Sequence, residues 1–278
     1  MQGGGTNLEP EVRYHMLRPG EIIRRRAECP VVYIPIGTIE WHGLHNPVGA
    51  DSLQAEGLAE LCATRGGGLV FPTLYFGESR SESLMEANAQ DREAIASEMN
   101  LPPDNFLPDR MPFSPIDQAF NYEKLLIHIL AEAMSLGFKV GVLVAGHYPL
   151  IDHARTAVLK FNKWRPARYG GMLAWACIDY EFLSDTYDCA GDHAAGWETS
   201  HLLHLHPDRV DLSVLPKKGE KLVGVGGKMT PQDATATFGK EILDASAEAI
   251  IREVSHRLAN RETYHGHGNS LKTGLWRK

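Results

Sequence analysis

A chain of 278 residues, 43% of them hydrophobic, is long enough to bury the core of a single α/β domain. Its net charge of −7 and pI near 6.0 disfavour a nucleic-acid partner, because phosphate binding needs clustered basic side chains. The sequence contains no apolar run of about 18 residues and no apolar leader, so we expect a cytoplasmic protein without a membrane partner or secretion signal.

The N-terminal region predicts a tail, a short helix and a buried strand. Residues 1–10 are Gly-rich and polar, as in disordered tails, and residues 11–278 form the single predicted domain. A helix should begin near Pro19 and end before Cys29. The run VVYIPI at residues 31–36 is short and rich in β-branched side chains, which predicts a strand buried on both faces.

Two carboxylates and two imidazoles follow this strand, in a loop that begins at Gly37. Glu40 and His42 are two positions apart, so in an extended segment both side chains leave on the same side and can meet at one ion. Glycine and proline residues then allow the chain to fold back and bring Asp51 toward Glu40, with His45 between them. Carboxylate and imidazole ligands suit zinc, manganese or iron(II), although a bare E-x-H pair alone is more often a solvated loop.

The segment PIGTIEWHGLHNPVGAD, residues 35–51, resembles the signature of the creatininase (creatinine amidohydrolase) family, which runs approximately P-x-G-S-x-E-Q-H-G-x-H-L-P-x-x-T-D. The positions in register are Pro35, Gly37, Glu40, His42, Gly43, His45, Pro47 and Asp51. The positions that differ are Thr38, Trp41, Asn46 and Ala50. The resemblance implies a two-metal centre in which Glu40, His42 and Asp51 are ligands and the aspartate bridges the ions.

After this loop, the sequence predicts a helix, a second strand and a segment without a clear period. The helix should run from Asp51 or Ser52, either of which suits its N-cap, to a stop at Gly66. Residues 69–76 predict the strand. Residues 81–112 are polar and interrupted by prolines, so we interpret them as an insertion or lid on the side of the active site.

A second polar loop follows the third predicted strand. Apolar side chains at helical spacing predict a helix over residues 120–136 with Gly137 at its end, and residues 139–145 predict a buried central strand. Loops that leave neighbouring parallel strands meet at one edge of a sheet, so His147 can reach the first loop. Creatininase itself has G-H-Y-E-N here. The resemblance therefore makes His147 a ligand, but Pro149 replaces the ligating glutamate.

A third polar cluster, GDHAAGWETS at residues 191–200, follows a predicted helix over residues 151–163 and a predicted strand over residues 171–178. It resembles the family's H-A-G-x-x-E-T-S box, with His193 and Glu198 in register. The resemblance implies that Glu198 supplies the carboxylate missing from the second loop, while His193 acts on the substrate or on the attacking water. Taken alone, a glutamate in the first turn of a helix is as often a partner of the helix dipole.

The alternation of strands and helices continues to a long last helix over residues 238–259. This alternation predicts right-handed crossovers and a mostly parallel sheet covered on both faces. The resemblance, which covers about residues 15–258, implies the same three-layer α/β/α sandwich and a homohexameric assembly.

By the resemblance, the three loops imply a metal-dependent amidohydrolase that acts on a C–N bond of a small molecule. By the resemblance, two divalent ions (zinc, manganese or iron) would be held by Glu40, His42, Asp51, His147 and Glu198. A metal-bound hydroxide would attack a carbonyl group, with His193 and Glu198 as catalytic residues. The predicted substrate contacts are Trp41, His45, Tyr148 and Trp197.

The carbonyl that is attacked is open to more than one interpretation. A cyclic amide is favoured, because Trp41, Trp175 and Trp197 could line a pocket for a flat ring. Each tryptophan is, however, more often a core residue than a pocket wall. A cyclic keto-sugar or a formamide-type compound is the alternative substrate, and a non-catalytic metal-binding protein is the alternative from another functional class.

Overall fold

A sheet of four parallel strands forms the centre of the part of the chain described by the computed structural model, which comprises residues 11–77, 90–107, 110, 112–165 and 170–264. The strands are β1 Val31–Ile36, β2 Leu69–Val70, β3 Val140–Ala145 and β4 Leu173–Ile178, and they lie in the order β2–β1–β3–β4. The inner strands β1 and β3 are buried along their whole length, which explains their continuous apolar sequences. The α/β fold with a mostly parallel sheet is therefore confirmed.

Seven α-helices are present in the described residues. They are α1 Pro19–Glu28, α2 Ala50–Gly66, α3 Arg92–Glu98, α4 Pro115–Ser135, α5 Leu150–Trp164, α6 Gly196–Leu205 and α7 Ala236–Ala259. None of these described helices is both long and apolar enough to cross a membrane. Alternate side chains of β1 point to opposite faces, so Ile34 packs with α4 and α5 whereas Tyr33 packs with α2 and α7. The molecule therefore has three layers.

Helices α4 and α7 begin earlier than predicted because polar side chains cap them. Ser114 accepts a hydrogen bond from the backbone N–H of Asp117, and Pro115 occupies the first turn of α4. Thr235 accepts a hydrogen bond from the N–H of Phe238 at the start of α7. Both predicted starts lie inside these helices.

The second strand is shorter than predicted. The sequence predicts a strand over residues 69–76, but the structure has one only at Leu69–Val70. Pro72 has no N–H to donate to a neighbouring strand, so regular pairing stops before it. The chain stays beside β1, where Leu74 forms an isolated bridge with Ile36. The segment after β2 therefore ends at the same edge of the sheet as β1.

The start of α2 also differs from the prediction. Gly49 occupies the N-cap, so the prediction of Asp51 or Ser52 as the cap is wrong. The Asp51 carboxylate instead points at His42 and His147. The Ser52 hydroxyl donates to a backbone carbonyl of the segment after β2. Both side chains therefore contact other parts of the chain and do not cap α2.

The segment predicted as an insertion or lid is partly described. Residues 81–89 lie outside the described residues, as does the predicted tail at residues 1–10. The described part contains α3 and a 3₁₀ helix at Pro103–Phe106. Ile95 of α3 packs with Trp41 of the first polar loop. The segment thus contacts the back of that loop, and its role as an insertion or lid stays a prediction.

Candidate metal centre

The ends of the two inner strands bring the polar loops together. Ile36, the last residue of β1, pairs with Ala145, the last residue of β3, so both loops start at the same edge. Gly37 and Gly146 allow close packing there, since a Cβ atom on Gly146 would lie 1.9 Å from the backbone oxygen of Asp51. The start of α2 can therefore approach the end of β3, and the Asp51 side chain reaches both loops.

Asp51 lies at the centre of a cluster of buried polar side chains. Its Oδ1 atom is 3.0 Å from His42 Nε2, and its Oδ2 atom is 3.1 Å from His147 Nδ1. Glu40 Oε1 is 3.0 Å from the same His147 nitrogen and 3.9 Å from His42 Nε2. The first two loops and the start of α2 therefore place two carboxylates against two imidazoles.

The third loop completes the cluster with His193 and Glu198. Glu198 lies in the first turn of α6, and its Oε2 atom is 3.4 Å from His42 Nε2. His193 Nδ1 is 3.5 Å from Glu40 Oε1. In each of three overlapping groups, the ligand atoms lie within 4.8 Å of one another. The groups are Glu40–His42–His193, Glu40–Asp51–His147 and His42–Asp51–Glu198. The structure thus brings together all the predicted ligands and the predicted catalytic histidine.

Backbone carbonyls determine which imidazole nitrogens face the cluster. His42 Nδ1 is 3.3 Å from the backbone oxygen of Glu40. His193 Nε2 is 3.0 Å from the backbone oxygen of Trp41. A carbonyl oxygen only accepts, so these nitrogens carry the hydrogen. The opposite nitrogens face the carboxylates and are the ones that would bind a metal ion, which takes the place of a proton there.

The carboxylates of the cluster fit a divalent cation. Both oxygens of Glu40 and the Oδ2 atom of Asp51 are buried without an aligned hydrogen bond. Burying an ionised carboxylate is costly without a counter-charge, and a bound cation supplies one. Burial alone would lower the pKa of His42, but the Asp51 and Glu198 carboxylates raise it well above its ordinary value. This excess of negative charge, with oxygen and nitrogen donors, suits zinc, manganese or iron(II).

Two of the predicted substrate contacts, Trp41 and Trp197, are buried in packing contacts. Trp41 donates its indole N–H to the backbone oxygen of Val223 at 2.8 Å. Trp197 donates its indole N–H to Asp179 Oδ2 at 2.8 Å and packs edge-on against Phe238. Both side chains support the site from behind, and a direct contact with substrate stays a prediction.

His45, a third predicted substrate contact, joins the first and third loops. Its Nε2–H donates to the backbone oxygen of Ala194 at 2.9 Å, and Thr199 Oγ1 lies 3.2 Å from the same nitrogen. Burial lowers the pKa of His45 to about 4. Ala194 has a φ of 56°, a left-handed conformation that is strained for alanine, and its N–H donates to Glu198 Oε2 at 2.7 Å. His45 therefore supports the backbone that holds Glu198.

Tyr148 differs from the other predicted substrate contacts because it is 66% exposed. It directly follows His147, so an exposed aromatic ring lies next to a candidate ligand. The ring centroid is 6.3 Å from that of Tyr180, which follows β4. The ends of β3 and β4 thus present a pair of aromatic rings at the same edge of the sheet as the polar loops.

Two residues that hold the cluster in place, Gln54 and Asp192, were not predicted from the sequence. Gln54 Nε2 donates to Glu198 Oε1 at 3.0 Å and to a backbone oxygen beyond β3 at 2.9 Å. The Asp192 carboxylate accepts the backbone N–H groups of Trp197 at 2.6 Å and of Glu198 at 3.2 Å, at the start of α6. A signal for Gln54 was present, because a residue three positions after Asp51 lies on the same face of a helix.

Comparisons with known proteins identify the family and the fold of the chain. A family model described as creatininase, creatinine amidohydrolase, matches residues 15–90 and 118–254. A solved structure of the manganese form of creatininase is 21% identical, with a TM-score of 0.66, and the match covers 90% of this chain and 99% of that chain. A creatininase variant of the Zn–Zn type gives the same identity, coverage and TM-score.

A creatininase variant complexed with creatine is 20% identical, with a TM-score of 0.64, and the match covers 89% of this chain and 99% of that chain. None of the curated proteins compared by sequence matches the chain. At these identities the solved structures establish the fold, while the family model covers most of the chain. The chain therefore belongs to the creatininase (creatinine amidohydrolase) family.

Proposed function

We propose that the protein is a metal-dependent amidohydrolase that breaks a C–N bond of a small molecule. The observation that carries this proposal is the buried cluster around Asp51, where carboxylate oxygens and imidazole nitrogens lie close enough together to share a metal ion. Membership of the creatininase family supports a hydrolase of this class. The exposed ring of Tyr148, the residue after His147, supports a small, partly apolar substrate.

The residues that would hold two divalent ions are Glu40, His42, Asp51, His147 and Glu198. Ions of this kind polarise a carbonyl group and make water more acidic. Zinc and manganese are supported by the similar creatininase structures that contain them, and iron is the third candidate. The buried carboxylates would be paired with these ions, which removes the cost of leaving them unsatisfied.

His193 would transfer protons at the more open side of the cluster. Its side chain is 18% exposed, whereas the side chains of Glu40 and Asp51 are each 1% exposed. Because His193 Nε2 donates to the Trp41 carbonyl, its Nδ1 atom can take up a proton and pass it to a leaving nitrogen. His193 is therefore the proposed acid–base residue.

Glu198 would replace the carboxylate that the second loop lacks. Pro149, at the position of that carboxylate, has no ligand atom in its side chain and precedes α5 as its N-cap. Glu198 reaches His42 from α6 instead, with Oε2 toward the imidazole and Oε1 held by Gln54. Its proposed catalytic contribution is to hold a metal ion where the substrate can reach it.

The favoured substrate is a small cyclic amide. The exposed ring of Tyr148, beside Tyr180, offers a flat apolar surface at the edge of the sheet where the polar loops begin. The similar creatininase variant is complexed with creatine, a small molecule, which supports a ligand of this size class. Formamides and cyclic keto-sugars are the alternative substrates, and a turnover experiment compares them with cyclic amides.

The test combines elemental analysis with turnover. ICP-MS measures zinc, manganese and iron in the purified protein, and hydrolysis of cyclic amides, formamides and cyclic keto-sugars is followed before and after chelation. We expect about two equivalents of metal per chain and chelator-sensitive hydrolysis of an amide. Turnover of a keto-sugar alone would contradict the C–N assignment, and absence of metal after reconstitution would contradict the whole proposal.

Variants locate the metal in the described cluster. Glu40→Gln and His147→Ala each remove a ligand atom and should lose bound metal. His204→Ala is the matched control, because His204 is an exposed histidine on α6. Equal metal content in all three variants would show that the metal binds elsewhere.

A further inference from the structure

Gln54 connects three elements behind the candidate metal centre. It lies in α2, about one turn after Asp51, and is 7% exposed. Its Nε2 atom donates to Glu198 Oε1 at 3.0 Å and to the backbone oxygen of Gly146 at 2.9 Å. Gly146 directly precedes His147. The Gln54 amide therefore links α2, which carries Asp51, to the Glu198 side chain and to the loop that carries His147.

The orientation of this amide is determined by its partners. Its nitrogen faces two acceptors, a carboxylate and a carbonyl, so both of its hydrogens are used there. The Oε1 atom of Gln54 is 3.0 Å from His201 Nδ1, which must carry the hydrogen because an amide oxygen only accepts. A reversed amide would place its oxygen against the Glu198 carboxylate and lose these bonds.

His201 is held in turn by burial and by packing against Trp197. It is 1% exposed, and its Nε2 atom is 3.6 Å from Asp179 Oδ2. Trp197 packs against the His201 ring at 5.7 Å between centroids and donates its indole N–H to the same Asp179 oxygen at 2.8 Å. Hydrogen bonds thus run from His201 through Gln54 to Glu198, and Trp197 packs against the His201 ring.

The Glu198 carboxylate depends on a few hydrogen-bond donors for its position. Its Oε2 atom accepts the N–H of Ala194 at 2.7 Å and faces His42, while its Oε1 atom is held by Gln54. Loss of the Gln54 amide would leave Oε1 buried without this donor, and a buried carboxylate without donors is costly. The carboxylate could then turn away from His42.

We propose that Gln54 is a positioning residue of the metal centre and that His201 holds its amide in the required orientation. The inference rests on the proposed metal-dependent function and adds two residues that touch neither metal nor substrate. Replacing a group that hydrogen-bonds a metal ligand commonly costs about 10–100-fold in metal affinity or activity. We expect a loss of this size when the Gln54 amide is removed.

The test measures manganese binding by the full-length protein from the EPR signal of free Mn²⁺, together with kcat, KM and unfolding by denaturant. Gln54→Met keeps the length of the side chain and removes its hydrogen bonds. The dissociation constant for Mn²⁺ should rise about 10–100-fold. At saturating Mn²⁺, kcat should fall while KM changes little, because Gln54 supports a metal ligand and not the substrate.

Two variants of His201 separate positioning from packing. His201→Leu removes the Nδ1–H that orients Gln54 and should weaken Mn²⁺ binding. His201→Asn places an amide N–H near the position of Nδ1 and should bring the affinity back toward that of the unsubstituted protein. Equal affinities for these two variants would overturn the role of His201, and this pair also decides the inference if Gln54→Met does not fold.

Asn162→Leu is the matched control for loss of a buried amide. The Asn162 side chain bonds the backbone N–H and oxygen of Ala174, each at 2.9 Å, near the start of β4 and far from the ligand edge of the sheet. This variant should lower stability and leave Mn²⁺ affinity unchanged. Unchanged affinity in Gln54→Met, or an equal loss in Asn162→Leu, would overturn the inference. Absence of Mn²⁺ binding by the unsubstituted protein would overturn the proposed function instead.

Discussion

Asp51 belongs to two of the overlapping ligand groups, whereas Glu198 belongs to one. This difference predicts different metal contents for two conservative variants. Asp51→Asn removes a charge that faces both His42 and His147, so the protein should lose nearly all of its metal. Glu198→Gln should retain about one equivalent, since the group of Glu40, Asp51 and His147 stays intact. ICP-MS after dialysis measures the metal content of both variants. Equal metal contents in Asp51→Asn and Glu198→Gln would contradict the shared role of Asp51.

His45 predicts a specific dependence of stability on pH. Burial lowers its pKa to about 4 in the folded chain, below the value of about 6.5 for a free imidazole. Between these pH values the unfolded chain binds a proton that folded His45 does not bind. Its contribution to the free energy of unfolding is therefore complete above about pH 6.5 and is lost as the pH falls toward 4. The expected loss is on the order of 3 kcal/mol.

His45→Gln measures this contribution, because a glutamine amide can donate to the Ala194 carbonyl and does not titrate. Denaturant unfolding of the chelated protein gives the free energy of unfolding at several pH values. Between pH 6.5 and 4, the loss of stability should be smaller in the variant. Parallel pH curves for the two proteins would show that His45 titrates normally in the folded chain.

At the scale of elements, the contact between the end of β3 and the start of α2 determines how the ligands meet. A Cβ atom at position 146 would lie 1.9 Å from the Asp51 backbone oxygen, and neither backbone can yield without moving its element. Gly146→Ala should therefore lower the free energy of unfolding by about 3 kcal/mol and also lower the metal content. Denaturant unfolding and ICP-MS measure the two effects.

Gly20→Ala is the matched control for this glycine. Gly20 lies in α1, and an added Cβ atom would meet nothing within 4 Å. Because alanine favours the helix, stability should stay the same or rise by up to about 1 kcal/mol, with no change in metal content. A similar loss of stability in both variants would show that close approach at Gly146 is not the cause.

At the scale of the whole molecule, exposed apolar side chains at the start of α4 favour an assembly. Phe113, Ile116 and Phe120 are all more than half exposed. Exposed apolar surface of this kind commonly marks contacts between proteins. We expect a homohexamer, with a mass by light scattering near six times the chain mass of 30.8 kDa. A monomeric mass at micromolar concentration would contradict the assembly that the family resemblance implies.

Much of this architecture follows from the sequence by itself. The apolar runs that became β1 and β3 are buried on both faces, so their composition alone separates them from their surroundings. The candidate ligand residues stand in the loops after these strands and at the starts of α2 and α6, where short motifs of charged residues and glycine are visible without a structure. The fold class, the ends of β1 and β3 and, through the family resemblance, the candidate ligand set were therefore predictable.

Only the tertiary structure decided whether a given polar side chain caps a helix, faces the candidate metal centre or supports another side chain. Asp51 suits a helix cap and a metal ligand equally well in sequence, and the imidazoles of His42 and His147 settle its orientation. The roles of Gln54 and His201 depend on contact between α2 and α6, which are far apart along the chain. Local sequence determines which groups are available, but hydrogen bonds between distant elements determine where those groups point.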